Sequence, residues 1–373
     1  MSEFEILRTK EKWGLWPVWK VALQVGDDDN ASRLWIVEKT MRIGSTKVKF
    51  GGIAGVGTKQ EHRMKGYASV VLDASTELMQ ERGYDMGMLY GIRNFYHRFG
   101  YGVVFPVPRL FVKTENLLCA ESVLKVRAMI KTDGAAVLKL YNRLNTTRNA
   151  TVVRPTKWSY FELSPGFKNP GKAVVAEDSR GRIQGYATWC ARDEQFLVSE
   201  IGCTGAVAFA ALAKALGQRA KRAGVDQVIF DLPADDPFID FCVPYGCERR
   251  VVYPNNSDAM GRIIHLRPLM EKLVPEFSKR VTDVGYVGQD VLNIETDIGS
   301  VGLGVHRGRV RVTDGDKSNV KIPQLILTQL VMGYRDIDDV MGETGVRSPK
   351  KALPLLRVLF PKRDGYMWWS DRF

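Results

Sequence analysis

Residues 51–83 read GGIAGVGTKQEHRMKGYASVVLDASTELMQERG. The stretch places a hydrophobic strand, Gly52–Thr58, directly before a basic turn and a helix. Tyr67, Val70, Val71, Ala74 and Leu78 recur at i, i+3, i+4 and i+7, the stripe of a helix with one buried face, and Gly83 suits a left-handed helix end. The start of this helix is unusual. Arg63-Met-Lys-Gly66-Tyr-Ala68 supplies neither a side-chain cap nor a carboxylate for the first free amides. Gly66 permits close approach of a ligand to the backbone, and Ala68 keeps the next turn uncrowded. The amides of Met64, Lys65, Gly66, Tyr67, Ala68 and Ser69 then converge with the positive helix end on a point that fits a diphosphate. The bland alternative is an ordinary strand-to-helix turn. Two other glycine readings fail on order and spacing. Gly52 to Gly57 has the span of a Walker A loop, but Thr58 and Lys59 are reversed, and a dinucleotide fingerprint from Gly55 or Gly302 lacks its third glycine.

The 373 residues, 45% of them hydrophobic, suffice for two or three domains. No run is long enough for a membrane span and no leader pattern opens the chain, so a cytoplasmic location is expected, with no membrane partner. Five scattered cysteines argue against a disulfide framework, and no paired histidines accompany Cys242 and Cys247, so no metal site is expected. The net charge of +12 suits nucleic acid or an anionic small molecule. The basic residues are spread out and lack a nucleic-acid-binding motif, so no nucleic-acid partner is expected.

Three segments emerge. In the first, strands are expected at Val18–Val25, Leu34–Lys39, Gly52–Thr58 and Met86–Tyr90, with a hairpin arm at Met41–Phe50 and a short helix at Asn94–Phe99. The second repeats this order and includes a helix at Ala206–Ala223, which suggests a distant duplication. It lacks an Arg-x-x-Gly-x-Ala hexad and is expected not to bind the same ligand. The third carries hairpin strands between 291 and 313 and a helix from Pro323 to Met332. It closes on LFPKRDGYMWWSDRF, aromatic-rich for a terminus.

The hexad, together with GIRNFYHRFGYGV (residues 91–103), resembles the GCN5-related N-acetyltransferase (GNAT) family, whose pyrophosphate turn is [Arg/Gln]-x-x-Gly-x-[Gly/Ala]. FYHRFGYG, LTQLVMGYRDIDDV and the terminal stretch are further similar to its Eis-like (enhanced intracellular survival) subgroup. The resemblance implies an α+β chain: a first GNAT domain over 1–119, shortened at its amino end, a degenerate second one over 120–272, and a sterol-carrier-protein-like domain over 273–373. It implies acetyl-CoA as co-substrate, an amine-bearing acceptor and a homo-oligomer, often a hexamer. Val56, Gly57 and Thr58 would bind the pantetheine arm. Arg63 and Met64 to Ser69 would hold the diphosphate, and Gly91 and Ile92 would line the acetyl end. Tyr96 would be the general acid and the carboxylate of Phe373 the general base.

The chemistry agrees. An amine attacking a thioester must lose a proton, and the departing thiolate, of ordinary pKa about 8.5, gains from a phenol of pKa about 10. The terminal aromatics also suit plain core filling. His62 and His97 are expected on the surface, and His265 and His306 in strands. Arg372 beside the expected base argues against polycationic acceptors. The competing reading is a non-catalytic acyl-CoA or lipid sensor.

Overall fold

The computed structural model describes residues 4–157, 160–161, 172–192, 194–288, 290–315 and 318–373. The chain opens as an antiparallel meander of β1 (Phe4–Trp13), β2 (Trp16–Val25), β3 (Asp28–Ile43) and β4 (Thr46–Thr58). It continues through α1 (Tyr67–Glu81), β5 (Met86–Gly91) and the two-residue β6 (Gly102–Val103). The hairpin arm expected at Met41–Phe50 is the turn end of a longer β3–β4 hairpin, which takes in Leu34–Lys39 and whose register runs from Ile43↔Thr46 to Ser32↔Thr58. β1 was not expected. Its sequence, FEILRTKEKW, has no buried face, so it carries no alternation signal, and it is held as an edge strand by pairing with β2.

The next strand, β7 (Val107–Lys113), crosses into a second sheet with β8 (Lys125–Ala128), β9 (Ala173–Glu177), β10 (Ile183–Arg192), β11 (Gln195–Cys203), β12 (Gln227–Asp231) and β13 (Glu248–Val252). In return β14 (Asp258–Ile263) inserts between β5 and β6, so each sheet borrows one strand across the chain. Helices α2 (Gly134–Leu144) and α3 (Ala206–Arg222) pack on the second sheet. The third unit begins with α4 (Leu266–Asp283). It holds a four-stranded sheet of β15 (Val291–Thr296), β16 (Gly299–His306), β17 (Arg309–Thr313) and β18 (Val320–Lys321), followed by α5 (Gln324–Met332). Pro323 stands just outside α5, at its N-cap, and not at the first helical position expected of it.

Alternation in β4 and β5 decides what lies on each face of the first sheet. Ile53 and Leu89 face a core shared with Val71, Leu78 and Met79 of α1. Phe50, Met86 and Met88 face the opposite way, into a core shared with Leu269, Phe277 and Leu303 of the third unit. The sheet is thus covered by α1 in front and by the third unit behind. Of the two histidines expected in strands, His265 instead caps α4, its ring bonding the Gln80 carbonyl at 2.8 Å, while His306 ends β16, exposed. No helix among the described residues is long and apolar enough to cross a membrane.

Candidate active site

The parallel pairing of β4 with β5 runs only from Phe50↔Met86 to Ile53↔Leu89. Beyond it β4 continues for five residues paired with β3 alone, while β5 continues beside β14. The first sheet therefore opens as a V. A bulge helps to open it: two residues, Gly55 and Val56, stand where β3 offers only Leu34, and Gly55 has a φ of +57°. A Cβ at Gly55 would lie 2.7 Å from the Trp35 ring. The Lys59 amide bonds to the Ala31 carbonyl at 3.0 Å, so antiparallel alternation turns the Thr58 amide away from β3 and toward the opening. The Thr58 hydroxyl is engaged with that of Ser32 at 2.9 Å.

At the front of the V stands the start of α1. Gly66 is the N-cap in a left-handed conformation, φ +79°, with no side-chain cap and no acidic residue in the first turn. Met64 is left-handed as well, at φ +62°, and its side chain is wholly exposed. Among the described residues, nothing accepts from the amides of Met64, Lys65, Gly66 or Ala68. A Cβ on Gly66 would meet nothing within 4 Å, so the amides border open space. Successive amides turned by left-handed residues at a helix N-terminus form an anion nest. Ser69 departs from the expected set, because its amide bonds the Gly66 carbonyl at 2.9 Å, leaving the hydroxyl as its free donor. Arg63 and Lys65 are exposed beside the turn. His62 is not a free surface residue: it lies 3.2 Å from Asp28, which also receives Lys59 at 2.6 Å. Asp28, Glu61 and His62 are the group of possible metal ligands that comes together among the described residues, and Asp28 is already engaged by Lys59.

Tyr96 opens the 3-10 turn Tyr96–Phe99, is 8% exposed, and packs edge-on against Phe95 with ring centroids 4.9 Å apart. It lies over Gly91, where a Cβ would stand 2.6 Å from the tyrosine ring, so the front-face glycine at the end of β5 seats the phenol. Burial pushes the Tyr96 hydroxyl above its ordinary pKa, which keeps the proton on it at neutral pH. Ile92, just past the strand, is exposed.

Phe373 lies on the rear face of the same opening. Its ring covers Gly52, within 2.5 Å of where a Cβ would be, and sits 5.9 Å from the Phe50 ring and 6.0 Å from that of Tyr90. Tyr90, Asp258, Trp369, Arg372 and Phe373 line a cavity of about 350 Å³. The Arg372 guanidinium lies between two rings, 4.4 Å from Tyr90 and 4.9 Å from Trp369. Asp258, at φ +64°, is held in a conformation uncommon outside glycine. Gly52, Tyr90 and Asp258 escaped the sequence reading. A glycine that makes room for an aromatic 321 positions away leaves no local signal.

Residues 18–104 match the family model of an acetyltransferase (GNAT) domain. The chain therefore carries a GNAT acetyltransferase domain, and the V, the uncapped helix and Tyr96 all fall within it. Over nearly its whole length the fold is similar to that of several solved structures. A probable N-acyltransferase from Enterococcus faecalis V583 superposes with a TM-score of 0.77 at 18% identity, covering 95% of this chain and 89% of that one. A GCN5-related N-acetyltransferase from Kribbella flavida gives 0.73 at 20% identity, covering 95% and 88%. Eis1 from Mycobacterium abscessus gives 0.66 at 15%, covering 95% and 91%. No curated protein matches the chain.

Proposed function

We propose that the protein is an acetyl-CoA-dependent N-acetyltransferase that moves the acetyl group directly to a primary amine. The observation that supports this is the position of two side chains: the Tyr96 ring over Gly91 on the front of the first sheet and the Phe373 ring over Gly52 on its rear, beside the point where β4 and β5 part. The uncapped amides of Met64, Lys65, Gly66 and Ala68, with Arg63 and Lys65, fit a diphosphate, and the Ser69 hydroxyl adds a donor. The opened edge of β4 at Val56, Gly57 and Thr58 fits an extended amide chain by strand-like pairing. Gly91 and Ile92 border the reacting end. When bound, acetyl-CoA supplies an activated acetyl thioester. The amine enters from the rear cavity, where the Phe373 carboxylate takes its proton. Tyr96 holds a proton for the thiolate leaving on the other face. Amides at the β4 bulge polarise the thioester carbonyl.

Direct transfer leaves the five cysteines without a role in the chemistry, and all are free. The resemblance further suggests a sterol-carrier-like character for residues 273–373 and assembly as a hexamer, which sedimentation would check. The reading is tested by a panel of amines (tryptamine, benzylamine, a lysine-containing tripeptide and an aminoglycoside) with acetyl-CoA, following free thiol. Release that is amine-dependent, lost in Tyr96→Phe and lost in Gly66→Glu supports the enzyme. Saturable CoA binding with no amine-dependent release would replace it by the sensor.

A further inference from the structure

The terminal segment reaches the first lobe by way of the second. Tyr366 and Trp368 are buried in the core of the second sheet, and the Trp368 indole donates to Asn145 at 3.3 Å. Asp371 is fully buried in a cluster whose centre is Arg154, also fully buried. The Arg154 guanidinium donates to Asp371 from Nε at 3.0 Å and from one terminal nitrogen at 2.9 Å. The same group grips both oxygens of Glu200, at 2.6 and 2.7 Å, and donates to Ser370 Oγ at 2.6 Å. Three phenols join the shell: Tyr141 at 2.9 Å and Tyr160 at 2.5 Å donate to Asp371, and Tyr186 at 2.6 Å donates to Glu200. From the first lobe, Lys39 Nζ donates to the carbonyl of Asp371 at 2.5 Å and lies 5.7 Å from the Phe373 ring centroid. Arg154 thus meets two carboxylates, and Lys39 adds a second cation through the Asp371 carbonyl.

Glu200 occupies a telling place. The parallel pairing of β11 with β12 stops at Val198↔Phe230, so the second sheet opens as the first does, and Glu200 stands just past the parting. The second opening offers a diphosphate no welcome. Its helix, α3, starts from Gly205 in extended backbone with no basic residue in the first turn. The space that remains there is about 170 Å³, bounded by Trp368, Tyr186, Asp236 and the ion pair of Arg148 with Asp235. A buried ion cluster with every lone pair engaged costs much to desolvate and returns little net stability, so its value is in fixing one geometry.

We propose that the second lobe has given up cofactor binding and become a clamp for the chain's own tail, with Arg154 as the positioning residue that sets Phe373 behind the first lobe's opening. The proposal rests on the reading of Phe373 as the base. Arg154 lies in a segment that bonds to the end of β3 (Val153 amide to Thr40 carbonyl, 2.8 Å), so clamp and first sheet are one framework. Only Arg372 and Phe373 project beyond it.

The test uses the full-length chain. Tyr160→Phe removes one donor from Asp371 and preserves shape, while Arg154→Gln removes the centre and Arg154→Lys restores charge without the bidentate fork. Amide exchange at Asp371 and Arg372, whose amides bond the carbonyls of Trp368 and Trp369, reads tail order directly. Exchange there should rise about tenfold in Tyr160→Phe and more in Arg154→Gln, while α1 keeps its protection and the acetyl-CoA dissociation constant stays within about twofold. With tryptamine as acceptor, kcat should fall about tenfold, partly regained in Arg154→Lys. Deleting Phe373 should cost less in the Tyr160→Phe background than in the wild type, a non-additive cycle. Unchanged tail exchange in Tyr160→Phe, or a fully additive cycle, overturns the clamp. Turnover that survives deletion of Phe373 alone sinks the base assignment instead, and the two failures are read on different proteins.

Discussion

Replacing Gly52 by alanine isolates the rear half of the site. The added carbon would stand 2.5 Å from both Cδ1 and Cγ of Phe373 and 2.7 Å from Cδ2. Carbon atoms settle at about 3.5 Å or more, so the ring must retreat by roughly 1 Å. Rotation about χ2 brings no relief, because one of the clashing atoms is the root of the ring. Phe50 and Tyr90 already flank the ring, so the shift passes to the backbone and to the terminal carboxylate. A displacement of about 1 Å in a reacting group costs on the order of 100-fold in rate. The backbone at Gly52 is ordinary strand, so the fold should lose only about 1–3 kcal/mol from overpacking. The assay is steady-state thiol release with a saturating amine, run beside acetyl-CoA binding by calorimetry and a thermal melt. We expect kcat to drop about 100-fold while cofactor affinity is kept, because the diphosphate turn lies on the opposite face. A kcat within about threefold of wild type, in a protein that melts normally, would refute the placement of Phe373 in the chemistry.

Further outcomes follow from the same geometry. Tyr96→Phe should lower kcat by about 10²–10⁴ with little change in acetyl-CoA affinity, as expected of a proton donor, and in stopped-flow traces the loss should fall on the chemical step. Gly66→Ala should cost about 1–2 kcal/mol of stability because φ is +79° there, and Gly66→Glu should in addition abolish CoA binding in calorimetry. Lys39 provides a pH signature. Burial lowers its pKa to about 8, with Asp371 opposing the shift and Arg154 adding to it. Between pH about 8 and about 10 the unfolded chain therefore holds a proton that the folded chain has released. Stability from this group rises with pH across that window, by at most about 1.4 kcal/mol per unit. A ¹³Cε lysine resonance that titrates near 8 and vanishes in Lys39→Met is the expected observation, and one that titrates with the bulk lysines contradicts it.

What could be read from the chain was whatever is local. The stripe Tyr67, Val71, Ala74, Leu78 placed α1, and Gly83, at φ +65° with the Tyr84 amide reaching back to the Met79 carbonyl, ended it as expected. The uncapped turn at Arg63–Ala68 was visible because its missing partners are a property of a few neighbouring residues. The sheet exchange was not legible, since β7 and β14 look like any short apolar strands and their placement depends on partners far along the chain. β1 was lost for want of a buried face, and the hairpin read at Met41–Phe50 runs on through stretches expected as separate strands. Arg154 shows the limit most clearly. Its carboxylates stand 46 and 217 residues away, and a lone arginine in VVRPT carries no mark of complete burial.

The claim on which the rest depends is that the first lobe's opening holds acetyl-CoA. A crystal structure of the complex with CoA tests it most directly. The account predicts the diphosphate on the amides of Met64 to Ala68, the pantetheine arm alongside Val56 to Thr58, and the sulfur within hydrogen-bond reach of the Tyr96 hydroxyl. Coenzyme bound instead at the opening of the second sheet, or a sulfur directed away from Tyr96, would contradict it.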